Sequence, residues 1–201
     1  MSRRKLPILM EQAIGAVRAE AIQKAQSFEM QVRLQRDPTC RPGCTSCCYY
    51  PLEISVLEAV PIYKELAQAG RWTPAFVQSL KEHADKTLML RAQIWMLTQI
   101  ACPLLKDKRC SIYEVRPFAC RTTWATADPF YCNGQNFGPQ TSLVPKDDLM
   151  RDFQEYEVSI SKQAGLAHYT MPISQAILLA ERLVSGDLDF NEVLTDLISR
   201  L

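Results

Sequence analysis

The stretch CRPGCTSCC, residues 40–48, sets four of the chain's eight cysteines within nine positions, with Cys47 and Cys48 adjacent. Thiols this close serve a disulfide framework, a dithiol redox pair or a metal, and the rest of the chain narrows the choice. Its 201 residues are 47% hydrophobic and 22% charged, an ordinary globular composition with enough chain to bury a core. The basic start Arg3-Arg4-Lys5 is followed by LPILM and then at once by Glu11 and Gln12, too short an apolar run for a signal peptide. No run approaches transmembrane length, so the expectation is a soluble cytoplasmic protein with no membrane partner. In that compartment thiols are kept reduced, which points to metal or redox chemistry over disulfides. A formal charge of +1 with no broad basic face argues against nucleic acid.

Outward from the cluster, the sequence predicts helices. Met10, Ile14, Val17, Ala21, Ala25, Phe28 and Val32 recur at steps of three and four, giving a long amphipathic helix from about 6 to 36 that Asp37-Pro38 ends. Ser55 and Glu58 have capping-box spacing with Gly70 as the C′ residue, while Pro61 demands either a kinked first turn or a later start. Thr73-Pro74 opens a third helix, and Phe76, Leu80, Ala84, Leu88, Ala92 and Met96 carry one continuous stripe towards Ile100. Periodicity then stops for more than forty residues, a stretch that needs something other than backbone ladders to order it. Helices resume at Pro145 with Asp147 and Asp148, carrying Leu149, Phe153, Tyr156 and Ile160 up to Gly165, and two more follow Pro172 and Asp189. The last has a capping box from Asp189 to Glu192, with Val193, Leu194, Leu197 and Ile198 on one side. The expected architecture is mainly α, about six helices around a long irregular cysteine-rich loop system that binds metal. It reads as one domain, with an N-terminal helix at 1–37, the cysteine region at 40–132 and C-terminal helices at 145–201.

Cys40, Cys44, Cys47 and Cys48 are divided from Cys102, Cys110, Cys120 and Cys132 by a helical pair. If those helices run antiparallel, the chain returns and Cys102 emerges at the level of Cys48, so that thiols converge from two loops. A metal holds the sulfurs deprotonated and removes the proton competition that leaves a free thiol neutral. Adjacent side chains diverge, so Cys47 and Cys48 are not expected to bind the same zinc ion. The eight divide as two tetrathiolate sites or as one centre with spectators, and one main centre is the expectation.

The residues C40-x3-C44-x2-C47-C48, then C102-P-L-L, then C110-S-I-Y-E-V-R-P-F-A-C120-R121, resemble the CxxxCxxCC cysteine-cluster family, often called YkgJ-like. The likeness covers roughly residues 40 to 121. It implies a zinc- or iron-chelating domain with ligands among Cys40, Cys44, Cys47, Cys48, Cys102, Cys110 and Cys120; Cys132 joins them only by its nearness in sequence. A related cluster occurs in flagellin lysine N-methylases, but no Gly-rich nucleotide loop follows a strand here.

Thiolates suit both a structural zinc and a [4Fe-4S] cluster. Paired CxxC knuckles are lacking, since Cys44-Thr-Ser-Cys47 is the one CxxC, and the long irregular gaps fit an iron-sulfur cluster at least as well as a single ion. Cys102-Pro103 also has the dipeptide that closes some ferredoxin motifs. Tyr49, Tyr50, Tyr113, Phe118, Trp124, Phe130 and Tyr131 crowd the loops and either shield a centre or simply pack. Arg116 and Arg121 flank Cys120, where their charge either offsets that of the thiolates or pairs with an acid such as Glu114. His83 and His168 lie far from the cysteines and read as core or surface residues. A dithiol redox pair at Cys44 and Cys47 lacks its usual βαβ context. Three functions follow: a cluster-bearing redox or carrier protein, a structural-zinc interaction module whose long first helix meets a protein partner, and a modifying enzyme that uses the centre.

Overall fold

The computed structural model describes residues 7–40, 43–87, 90–126, 128, 132, 144 and 146–186, with the side chains of Gln93 and Met96 left aside. Among them the chain is mainly helical. The helices are α1 Ile8–Gln35, α2 Val56–Gln68, α3 Pro74–Thr87, the two-turn α4 Ala92–Thr98, the single turn α5 Phe118–Arg121, α6 Asp147–Gln163 and α7 Ile173–Ser185. Two small antiparallel ribbons join them, β1 Glu53–Ser55 with β4 Thr170–Pro172, and β2 Leu105–Lys106 with β3 Arg109–Cys110.

α1 buries Met10, Ala13, Ile14, Val17, Ala21, Ala25 and Val32, which is the expected stripe with Ala13 added and Phe28 half-buried. This face packs on α2 and α6. Ribbon β1/β4 feeds α2 from one strand and α7 from the other, with Ile54 opposite Met171, and because the strands are antiparallel the two helices leave it from opposite ends. Ala59, Ala176 and Ala180 are fully buried between them, and small side chains let two helix axes approach closely. α3 also lies on α7, where His83 Nδ1 meets Ser174 Oγ at 2.9 Å. α7 is thus the central rod on which the helical pair α2 and α3 is laid.

Local signals set several boundaries as expected. Ser55 caps α2 by accepting from Glu58 N at 3.2 Å, and Thr73 caps α3 by accepting from Phe76 N at 3.2 Å. Gly70, at φ 66, closes α2 in a Schellman motif in which Arg71 N donates to Leu66 O and Gly70 N to Ala67 O. Pro61 neither delays nor breaks α2. It sits inside the helix with its ring in a groove facing α1.

Three expectations change. The third helix is not continuous: α3 stops at Thr87, Arg91 is extended (ψ 146), and α4 starts afresh. The new direction brings Trp95 edge-on to His83, with centroids 5.7 Å apart. The stretch after Ala101 is not structureless, since it holds the β2/β3 hairpin, a 3-10 turn at Tyr113–Val115 and α5. On α6 it is Phe153, Glu157 and Ser161 that are buried, while Leu149, Tyr156 and Ile160 are half-buried. Leu6, Leu88, Phe130, Tyr131, Pro145 and the expected helix after Asp189 lie outside the described residues.

Candidate metal centre

The first cysteine stretch is pinned to the second by backbone. Thr39 N donates to Ala125 O at 2.9 Å, and Ala125 N returns a bond to Cys40 Sγ at 3.2 Å. Gly43 turns the chain at φ 89, and a 3-10 helix at Ser46–Tyr49 then carries Cys47 and Cys48. Cys48 O accepts from Cys102 N at 2.7 Å. The return of the chain through α2, α3 and α4 therefore ends where the sequence expected it, with Cys102 beside Cys48.

From Cys102 the chain makes a tight turn into the β2/β3 hairpin. Asp107 and Lys108, at φ 49 and 56, form its two-residue loop, the left-handed pair that a hairpin twist demands. The register sets Cys110 opposite Leu105. Cys120 lies on α5, which is held from both sides: Phe118 stacks on Phe153 at 4.0 Å, and Phe118 N donates to Glu58 Oε1 at 2.7 Å. Cys132 is buried, its carbonyl bonded by Tyr50 Oη at 2.9 Å.

All eight cysteines are free thiols. Cys47 is their electrostatic hub, close enough to act on Cys40, Cys102, Cys110, Cys120 and Cys132. The Cys48 thiol donates to it and, with help from Arg116 and Lys146, holds Cys47 down at about 7 against the effect of burial. Cys48 is pushed up in return. Burial raises Cys102 to about 12 and also raises Cys40, Cys110, Cys120 and Cys132. Backbone N–H groups oppose this at chosen sulfurs, those of Leu104 and Leu105 at Cys102 and that of Ile112 at Cys110. A desolvated thiol group ionises when a cation is set among the sulfurs, so this donor set fits a soft metal. Among the described residues no three donor side chains stand in ligating geometry around one point.

Two of the three positive side chains near the sulfurs, Arg121 and Lys146, are held by main-chain carbonyls. Arg121 donates through Nε to Arg116 O at 2.9 Å and through a terminal nitrogen to Glu114 O, so the Glu114 carboxylate is not its hydrogen-bond partner. Arg116 lies 3.7 Å over the Tyr113 ring. Lys146 Nζ donates to Ala119 O and Thr123 Oγ1, and Cys120 and Cys47 support its charge against burial. Beside these thiols is a cavity of about 160 Å³ walled by Cys47, Tyr50, Leu52, Cys120, Trp124 and Lys146.

The expected ligands thus fall into an inner group, Cys48, Cys102, Cys110 and Cys120, and an outer group, Cys40, Cys44 and Cys132, with Cys47 between. The aromatic sheath is partial. Phe118 belongs to the helical core, Tyr113 is 55% exposed, and Trp124 packs with Val32 and Val144 under Arg33. His83 is bonded to Ser174, and His168 meets Glu157 at 3.4 Å. Sequence reasoning missed Lys146, which no spacing singles out, and the inward role of Glu58, whose capping-box spacing pointed back to Ser55.

A small helical scaffold that presents eight free thiols from two apposed loops defines a cysteine-cluster protein of the metal-chelating class. The chain belongs to the CxxCxxCC family, described as a "putative zinc- or iron-chelating domain", whose family model matches residues 39–142, just over half of the sequence. No curated protein and no solved structure matches the chain. Among the described residues no helix is long and apolar enough to cross a membrane.

Proposed function

We propose that the cysteines hold an iron-sulfur cluster of the [4Fe-4S] type and that the protein, a single cytoplasmic domain, serves a redox or carrier role. The observation that carries this reading is the Cys102 N to Cys48 O bond of 2.7 Å, which joins the two cysteine stretches and sets Cys47 and Cys48 against Cys102 and Cys120. The cavity beside Cys47 and Cys120 favours a cluster over a single ion, because a structural zinc shell is closed by its four ligands. Such a cluster supplies one-electron transfer at a potential tuned by its surroundings. The chain's own part is electrostatic: Arg116, Arg121 and Lys146 offset thiolate charge, and the N–H groups aimed at Cys102 and Cys110 stabilise it. The deciding experiment is iron, zinc and acid-labile sulfide content, with an absorption spectrum, on anaerobically purified protein. About four irons and four sulfides per chain are expected for this cluster type; stoichiometric zinc without colour overturns it.

A structural zinc module is the second reading. It is favoured by the tight turns at Cys102 and Cys110, whose backbone N–H groups point at sulfur as they do around a single ion. In that case the outward Ile8, Leu9, Met30 and Leu34 of α1 supply apolar surface for a protein partner.

A further inference from the structure

On the face of the cysteine loop turned towards α1, three arginines meet at a groove. Arg18 comes from α1, Arg116 and Arg121 from the segment around Cys120, and Val17, Leu57 and Pro61 supply an apolar floor. The enclosed part measures about 30 Å³, on the order of one water molecule's share of liquid volume.

Two of these cations have an explanation in the thiols, since Arg116 acts on Cys47 and Cys110, and Arg121 on Cys110 and Cys120. Arg18 does not. Arg121 is held down by burial and then by Arg116, Glu114 offsets part of this, and Arg18 adds a smaller repulsion. Among the described residues none of the three forms an ion pair within 4.0 Å. Glu58, the carboxylate on the groove wall, directs Oε1 inward to Phe118 N. The Arg116 Nε is buried with no hydrogen-bond partner. A guanidinium does not shed its proton, and an orphaned charged donor is costly, so this atom calls for an acceptor. The site is also preorganised, because Arg121 is clamped to two carbonyls and Arg116 is stacked on Tyr113.

We propose that this groove binds a small dianionic oxyanion, its phosphoryl or carboxylate oxygens gripped by Arg18, Arg116 and Arg121. Arginine forks match both head groups, and three like charges are relieved when a dianion sits among them. The site shares Arg116 and Arg121 with the thiols, so Arg18 is the residue whose replacement separates this proposal from the metal reading.

The test is isothermal titration of the purified full chain with inorganic phosphate and with succinate, at constant ionic strength against sodium chloride. One saturating site per chain is expected for at least one of the two, and the tighter one identifies the head group. Arg18→Gln should weaken it at least fivefold while metal content and absorption stay as in the wild type. Ile22→Glu, which tethers a carboxylate at the groove's edge, should abolish it. Heat reproduced by chloride, no saturation by either anion, or Arg18→Gln binding as tightly as wild type would each overturn the proposal. A preparation without bound metal would refute the metal reading and leave this outcome to be decided by the same titration.

Discussion

Glu58 is half-buried where α2, α6 and α5 meet, with its carboxyl turned inward to Phe118 N, and its pH response can be worked out in advance. Burial, then the neighbouring Glu157 carboxyl, pushes it up from 4.5 to about 8, against the smaller opposing effects of Phe118 N–H and Arg121. The folded protein therefore keeps a proton between these values that the unfolded chain has released. Stability changes with pH as the difference in protons bound, unfolded minus folded, which is negative here. Glu58 thus favours the fold most at acid pH, and its contribution falls as pH rises from about 4.5 to 8 and then levels off. At about 1.4 kcal/mol per unit, the interval from pH 5 to pH 8 is worth on the order of 4 kcal/mol. Glu58→Gln keeps an oxygen for Phe118 N–H and removes the titration. The assay is urea unfolding of wild type and variant at unit steps from pH 5 to pH 8. Metal-thiolate sites strengthen with pH in both proteins, so the difference between the two curves isolates Glu58. The variant should gain on the wild type steadily towards pH 8. Parallel profiles would refute the reasoning, since they would mean that Glu58 is ionised in the fold throughout.

Cys120→Ser and Cys44→Ser should each yield protein with less bound metal and a lower melting temperature; normal content in both, read by elemental analysis, would contradict their assignment as ligands. Phe153→Ala removes the ring on which Phe118 stacks, should cost about 3–5 kcal/mol by denaturant unfolding, and should lower metal content through the displacement of Cys120. Lys108→Gly relieves a left-handed residue in the hairpin loop and should stabilise the protein by roughly 0.5–1 kcal/mol, with metal content unchanged; a loss of stability would exclude that turn geometry.

The first helix was legible because its apolar residues keep step for about six turns, and the structure buries Met10, Ile14, Val17, Ala21, Ala25 and Val32 as that periodicity requires. The apposition of Cys102 and Cys48 was legible too, but the mechanism was not: α2 and α3 each lie on α7, a helix more than seventy residues further along the chain. The break between α3 and α4 left no local mark. No glycine or proline stands between Pro74 and Pro103, so the apolar period simply ran on, and the Trp95 contact with His83 seen after the turn is tertiary. Strands of two residues lie below any period, and Asp107-Lys108 lacks the glycine that announces a hairpin. Glu58 had the right spacing and a different partner. A capping box and a bond to a distant peptide need the same residue, and only the packing of α5 decides between them.

The two halves of the cysteine site rest on foundations of unequal strength. Cys102 and Cys110 pack against the large core shared by α1, α2, α6 and α7, and Cys120 rides on a turn fixed by Phe153 and Glu58. Cys40 leans on a cluster of three buried residues, Val32, Trp124 and Val144, and is tied to Ala125 by its own sulfur. Metal binding of about 10–16 kcal/mol, as in zinc fingers, rivals the whole net stability of an ordinary domain. Energy on that scale is most consequential where packing is thinnest. On the proposed reading the inner thiols are held ready by the helices, whereas the outer ones depend on the bound metal for their order. Loading is then expected to proceed from Cys102, Cys110 and Cys120 outward through Cys47, which stands between the two groups.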